Sequence, residues 1–439
     1  MATVISSATP TKPGVLVRAT EGETGATKGK RTKGGLSPAA RREERTGWLF
    51  MLPFVLLFLL VFIVPILYAV YSSFFQQVAT GGGAYGGKGV SEAVCGVNEE
   101  ISPALAGMRA DDQLALDRRL IELDGTQDKS RLGGNALIAV SLAAAEAAAN
   151  AAKLPLYRWL GGVQAAELPC PMMNVLNGGR HAANDVDVQE FMLVPIGAEC
   201  FSEAVRMCAE CYHALKALLS EKKLTTSVGD EGGFAPNIGS DEQALRFLTH
   251  AIERAGWKPG EDVALAIDAA ASEWRADGGY FLPKKQEKRT RSELIDHYAH
   301  LAAEFPLISI EDPLDEEDFD GFREITQRLG SGMIIVGDDL FTTNSARLLR
   351  GAEERAGNAI LIKPNQIGTL SETLETIRLA RATGYRVILS HRSGDTESSA
   401  LADLAVAVNA DFIKSGAPAR SERLSKYNRL LRIAAELEA

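Results

Sequence analysis

Ala359-Ile360-Leu361-Ile362-Lys363-Pro364-Asn365-Gln366 (residues 359–366) is a short apolar run that ends in one lysine and breaks at once into proline and polar residues. A run of that length bounded by a breaker reads as a buried strand, and its end delivers Lys363 to the strand's C-terminal rim. The same figure recurs on both sides. Val263–Ile267 ends at Asp268, Leu307–Ile310 at Glu311, and Met333–Val336 leads to Asp338. Arg386–Leu389 precedes His391, and Ala410–Ile413 ends at Lys414. Upstream, Glu190–Val194 is an early strand, and Thr226–Val228 leads to Asp230 and Glu231. Helical periods lie between, over 241–255, 290–304, 371–383 and 421–437. Strands alternating with helices predict an α/β fold with a parallel sheet. This many similar units favour a closed βα barrel over an open sheet, with its chemistry at the C-terminal strand ends.

The residues at those ends suggest a reaction. Asp268, Glu311 and Asp338 follow three successive strands, and three converging carboxylates repel one another without a cation between them. Any one alone reads better as a solvated or paired rim acid; three in a row do not. Hard oxygen ligands point to magnesium rather than zinc. Lys363 and Lys414 share the rim. Mutual repulsion and a nearby divalent cation would lower a lysine pKa and make it a base, the plainer alternative being charge neutralisation of the acids. Glu231, in the glycine-rich Val228–Phe234 loop, becomes a general acid if its pKa is raised. His391-Arg392-Ser393 offers a phosphate seat. His181, in Asn177-Gly178-Gly179-Arg180-His181, taken alone reads as a structural hydrogen-bonding histidine. Base, acid, divalent metal and anion seat on one rim suit proton abstraction next to a carboxylate with loss of a leaving group.

The rest of the chain divides by composition. It has 439 residues, 46% hydrophobic and 24% charged, ordinary values for a globular protein. The net charge of −10 argues against nucleic acid as a partner. Residues 1–45 carry nine Lys/Arg against four Glu and read as a disordered basic tail. Residues 46–87 carry no charge. Within the segment 46–80, Trp48 to Tyr71 would make a helix of about 36 Å, long enough to span a bilayer, with Arg41, Arg42 and Arg45 on one flank. That segment predicts one transmembrane helix and membrane contact through 48–71. Residues 81–165 open with a glycine-rich joint and then read as helices over 90–105, 111–123 and 135–152. Residues 166–439 carry the strand–helix repeat. Cys208 and Cys211 form a C-x-x-C within the helical period 202–219; with no second pair at zinc spacing they read as small helix-face residues.

Longer motifs bear a resemblance. Gly229–Asn237 (GDEGGFAPN), Ser309–Pro313 (SIEDP), Val336–Leu340 (VGDDL), Leu361–Thr369 (LIKPNQIGT), Ser390–Glu397 (SHRSGDTE) and Ile413–Ile433 resemble the enolase family, the phosphopyruvate hydratases of glycolysis. Asn177–Met192 and Leu123–Ala143 agree, so the resemblance covers about residues 84–438. It implies an enolase-type βα barrel preceded by a truncated, mostly helical N-terminal domain. It implies magnesium-dependent dehydration of 2-phosphoglycerate to phosphoenolpyruvate, with Lys363 as the base and Glu231 as the acid, supported by Glu190. It implies Asp268, Glu311 and Asp338 as ligands of a first magnesium. It implies His181, His391, Arg392, Ser393 and Lys414 as substrate contacts, and the family's homodimer and cytoplasmic setting. Family members also begin with strands and a serine-bearing loop that closes over substrate and binds a second magnesium. Here the family pattern starts near Tyr85, and the apolar segment stands where those strands would be. The positive-inside rule then sets the tail in the cytoplasm and the barrel outside, against a glycolytic role. Impaired activity, a membrane-tethered non-catalytic protein and a fusion product are the competing readings; a permease subunit, suggested by the resemblance of residues 41–77 to a membrane helix of sugar-transporter permeases, ranks last.

Overall fold

The computed structural model describes residues 89–438. The basic tail, the transmembrane helix expected over 46–80 and the glycine joint lie outside the described residues. The strands in chain order are β1 (Cys170–Asn177), β2 (Glu190–Val194), β3 (Ala264–Asp268), β4 (Arg275–Ala276), β5 (Gly279–Leu282), β6 (Glu287–Arg289), β7 (Leu307–Glu311), β8 (Ile334–Gly337), β9 (Ala359–Ile362), β10 (Arg386–Ser390) and β11 (Phe412–Lys414). Eight of them close into a barrel in the order β1-β11-β10-β9-β8-β7-β3-β2, and β4-β5-β6 form a small separate sheet. The expected α/β barrel with a mostly helical part before it is therefore observed.

Three details differ from the sequence reading. The barrel is not all parallel: β2 runs antiparallel to both β1 and β3. The connection over 178–189 has no crossover helix, so the chain turns back on the rim it has just reached. Thr226–Val228 is not a barrel strand; Val228 makes only an isolated bridge to Phe234 inside a glycine-rich loop. Finally, β1 was not anticipated. Pro171 interrupts its apolar pattern, yet it sits at the second position of the strand, where a missing N–H is tolerated.

The reversed β2 has a direct consequence. Its first residue, Glu190, lies level with Asp268 on β3 and Asn177 on β1, at the rim where the parallel strands end. Because β2 descends, the helix Phe201–Glu221 climbs back, and the loop before the helix Asp241–Arg254 brings Glu231 over the same rim.

Side-chain alternation along the strands sorts everything else. Met172, Met192, Val194, Ala266, Ile334, Val336, Ala359, Leu361, Ile388 and Phe412 pack together inside the barrel. Their neighbours, among them Phe191, Ile267, Ile335, Ile360, Ile362, Leu389 and Ile413, belong to the larger cluster beneath the helices. Two residues further toward the rim, the inward-facing positions are Asn174, Glu190, Asp268, Asp338, Lys363, Ser390 and Lys414. Each large apolar side chain buried below them stabilises the fold by about 1.5–3 kcal/mol.

Several helices around the barrel begin with side-chain caps. Thr290 and Glu293 form a reciprocal capping box, and Asp318, Asn344 and Thr369 accept from amides of their own first turns. Before the barrel, Ile101, Leu116, Leu120, Leu132 and Leu137 form a small core among helices that include Gln113–Asp124 and Gly134–Ala152. The second of these meets the length and hydropathy of a membrane span, but it packs Leu137, Ala145, Ala148 and Ala149 inside the protein. Its Gly134 touches the barrel rim: a Cβ there would lie 2.5 Å from the carbonyl oxygen of Asn365, which leaves room only for glycine.

Candidate active site

The top inward layer of the barrel is charged and almost closed to solvent. Lys414, at the end of β11, places its Nζ 2.9 Å from both carboxylate oxygens of Glu311 and 3.1 Å from Asp268 Oδ2. It also lies 3.0 Å from Glu190 Oε2, an ion pair at an angle too oblique for a hydrogen bond. Burial disfavours the Lys414 charge, but Asp268, Glu190 and Glu311 outweigh it and hold the ammonium well above its ordinary pKa. Burial, reinforced by the Asp268 charge, pushes the Glu311 carboxyl well up despite Lys414.

Lys363 pairs with Asp338 Oδ2, and Gln366 Nε2 donates to Asp338 Oδ1 at 3.1 Å. The sequence reading expects Lys363 to be lowered toward neutrality. In this arrangement it is raised instead: burial opposes its charge, but Asp338 and Glu311 more than compensate. Asp312, in the positive-φ region at 40°, accepts from the amides of Asp338 and Asp339 at 2.9 and 2.8 Å. Both of its oxygens are thereby committed to shaping the turn that carries Asp338.

A second group faces this one. Glu231 accepts from Asn174 Nδ2 at 3.0 Å and from the Ser393 hydroxyl at 3.0 Å. His391 Nε2 lies 3.5 Å from Glu231 Oε2, and His181 Nδ1 lies 3.4 Å from Glu190 Oε1. His181 Nε2 is 3.4 Å from Ser393 Oγ. Arg392 is exposed at the mouth, where Nη1 donates to Asn365 Oδ1 at 3.2 Å; Asn365 in turn donates to Asn135 at 2.8 Å. Here too the electrostatics invert an expectation. Burial pushes Glu231 up, but His391 and Lys414 hold it well below the usual carboxylate range. Glu190 is the raised member, through burial and the Glu231 charge against a weaker opposing Lys414.

Ten of the eleven residues singled out in the sequence thus meet one another at one rim, and Arg392 stands apart at its mouth against Asn365. Lys363 joins Asp338; Lys414 joins Glu190, Asp268 and Glu311; Glu231 joins His391, Ser393 and, with Glu190, His181. The residues missed are Asn174, Asp312, Gln366 and Arg423. Asn174 sits on the unanticipated β1. Arg423 looks like a surface arginine, yet it shares a helical stripe with the buried Tyr427 and Leu430, at i+4 and i+7.

The donor set fits a divalent cation. Asp268, Glu311 and Asp338 converge on the rim, and the crowding of their charges is part of what pushes Glu311 up, a repulsion that a doubly charged ion relieves. The candidate ligands are carboxylate oxygens, the chemistry of magnesium. Among the described residues, the groupings that bring ligand atoms within 4.8 Å of one another are His181 with Glu190 and Glu231, and Asp312 with Asp338 and Asp339. The latter is weakened as a ligand set by the commitment of Asp312 to backbone amides.

Comparison with known proteins agrees with the geometry. Residues 165–439 match the family model of the enolase C-terminal TIM barrel domain, and residues 76–160 that of the enolase N-terminal domain. An enolase from Acidothermus cellulolyticus is 56% identical over 354 residues, which covers 81% of this chain and 82% of that protein. On these matches and this rim, the chain belongs to the enolase family, the phosphopyruvate hydratases of glycolysis, and its activity is that of a carbon–oxygen lyase.

Proposed function

We propose that Lys363 removes the C2 proton of 2-phosphoglycerate and that the Glu190–Glu231 pair supplies the proton that leaves with the C3 hydroxyl. The C2–H bond breaks with its proton going to Lys363, the C3–O bond then breaks, and the hydroxyl departs as water to give phosphoenolpyruvate. The observation that carries this reading is the opposition of two groups across one rim: Lys363 on the carboxylate cluster, and the neighbouring carboxylates Glu190 and Glu231, whose oxygens approach within 4.8 Å and whose surroundings push the first up and the second down. Two acids in unlike states are what paired acid–base work requires.

Asp268, Glu311 and Asp338 are the residues that would hold magnesium, which when bound would supply positive charge against the negative charge that develops on the substrate carboxylate. An Asp338 engaged as a ligand would no longer hold the Lys363 ammonium up, and that would leave the Lys363 amine to take the proton. Lys414 orients the substrate carboxylate. Arg392, Ser393 and His391 seat the phosphate end, and His181 covers the leaving group. The serine loop of the family has no counterpart in the sequence before Tyr85, so closure is weaker and turnover lower than in a relative that carries it. The family's typical cytoplasmic location and its homodimer extend this reading.

Solvent exchange at C2 separates the two roles. In deuterated buffer with magnesium, Lys363→Ala abolishes both C2 exchange and product formation. Glu231→Gln keeps exchange and loses product. Exchange that survives in Lys363→Ala would reassign the base.

A further inference from the structure

Arg423 is the largest side chain among those fully buried, and nothing in the reaction so far uses it. It stands in the first turn of the helix Ser421–Glu438 with 1% of its surface exposed. Its guanidinium is spent on the backs of active-site residues. Nη1 meets His391 Nδ1 at 2.6 Å and the Arg392 carbonyl at 2.7 Å. Nη2 meets the Ser393 carbonyl at 2.6 Å and the Asp230 carbonyl at 3.2 Å. The last two contacts join separate loops, one carrying Ser393 and the other carrying Glu231. Gly416 completes the fit, since a Cβ there would lie 3.0 Å from Arg423 Cδ.

We propose that Arg423 is a positioning residue for this reaction: its guanidinium fixes the tautomer of His391 and ties the Ser393 loop to the Glu231 loop. The chemistry is one-sided. A guanidinium donates and never accepts, and it does not lose its proton in a protein. His391 Nδ1 must therefore accept, which leaves the imidazole proton on Nε2. Nε2 is the nitrogen that faces Glu231 Oε2, and it has no hydrogen-bond partner among the described residues. The opposite tautomer would turn a bare nitrogen toward a carboxylate and a proton toward a cation. Burial lowers the His391 pKa against the opposing Glu231 carboxylate, and the Arg423 charge acts in the same direction as burial. Beyond the histidine, the clamp holds Ser393 where its hydroxyl reaches Glu231 Oε1. A lysine in its place could donate to Nδ1 but could not span four acceptors with a planar fork.

The inference rests on the roles proposed for Glu231 and its neighbours, so its first readout does not involve turnover. Full-length protein labelled with ¹⁵N-histidine is examined by NMR with magnesium and without substrate, and the His391 signal is assigned from its loss in His391→Gln. The expected wild-type pattern is a protonated Nε2 and a bare Nδ1; a protonated Nδ1 overturns the proposal without any variant. In Arg423→Met the His391 signal shifts toward the other tautomer or the imidazolium. At the same time kcat falls by about 10²-fold, while KM changes by less than about 3-fold. Arg423→Lys restores the tautomer and recovers about a tenth of the wild-type kcat. An unchanged His391 signal with unchanged kcat in folded Arg423→Met overturns the proposal. If Arg423→Met does not fold, the wild-type tautomer and the Arg423→Lys variant decide. Wrong roles for Glu231 would show instead as full activity in Glu231→Gln, with the tautomer as expected.

Discussion

The barrel strands line two interiors of opposite character, one residue pair apart. Leu361, Val336, Ala266 and Met192 fill the lower layer with hydrocarbon. Two residues up the same strands stand the buried Asp338, Asp268 and Glu190 and the half-buried Lys363. The lower layer gains free energy from burial and has no polar atom to satisfy. The upper layer costs free energy, because each charge has left water and is only partly repaid by its partner. Their adjacency shows how the fold holds a reactive cluster in place: rigid apolar packing below fixes positions that the charges above would not adopt by themselves.

This contrast can be broken by substitutions two residues apart. Lys363→Ala should lower kcat by about 10⁴-fold, roughly 5.4 kcal/mol of barrier, while the melting temperature stays level or rises. Steady-state kinetics and calorimetry on the same preparation check both halves. One step below, Leu361→Ala should do the reverse. A loss of about 2–5 kcal/mol in urea unfolding is expected, with kcat within about 3-fold of wild type. If Leu361→Ala silenced a fully folded enzyme, the layers would not be separable.

Magnesium should act on the upper layer alone. Removing it with a chelator should abolish activity and lower stability by about 2.7 kcal/mol relative to an ion concentration a hundred times its dissociation constant. The same difference should appear in Leu361→Ala, since contributions from separate layers add.

The smallest expected effect sharpens the comparison from outside both layers. His297, on the helix Arg291–Glu304, is held down to about 4 by burial, Arg289 and Lys285, against Glu242 and Asp241. An unfolded histidine titrates near 6.5, so the unfolded chain takes the proton first as pH falls. His297 stability is thus complete above about pH 6.5 and is lost as pH drops toward 4, up to about 2 kcal/mol after allowance for solvent screening. Denaturation of His297→Gln across that window should show a flatter slope, with activity at pH 7 unchanged. An unflattened slope would place the acid sensitivity in the rim carboxylates.

Much of the upper layer was legible because its residues end apolar runs. Lys363, Asp268, Glu311 and Lys414 are each the first charge after a strand, and alternation carries them inward. Glu190 follows no such rule, since it begins its strand; only the reversal of β2 brings it to the rim, and a loop without a crossover helix is a weak signal of reversal. β1 was hidden by Pro171, and Asn174 was hidden with it. The protonation states were not legible at all. Glu231 is held down and Glu190 up by partners from distant segments, His391 and Lys414 among them, and those distances exist only after folding. Arg423 was readable in principle, from its place on the Tyr427–Leu430 stripe, but an arginine near a helix start ordinarily signals a solvated face.

The central claim is that this rim, as the described residues build it, turns over substrate. Purified protein, shown to be folded by calorimetry, is incubated with 2-phosphoglycerate and magnesium, and phosphoenolpyruvate is followed by its absorbance. A relative with the serine loop serves as positive control. The account predicts magnesium-dependent product formation, slower than the control and lost in Lys363→Ala. Folded protein that makes no product while the control does would contradict it and leave the barrel a non-catalytic member of its family.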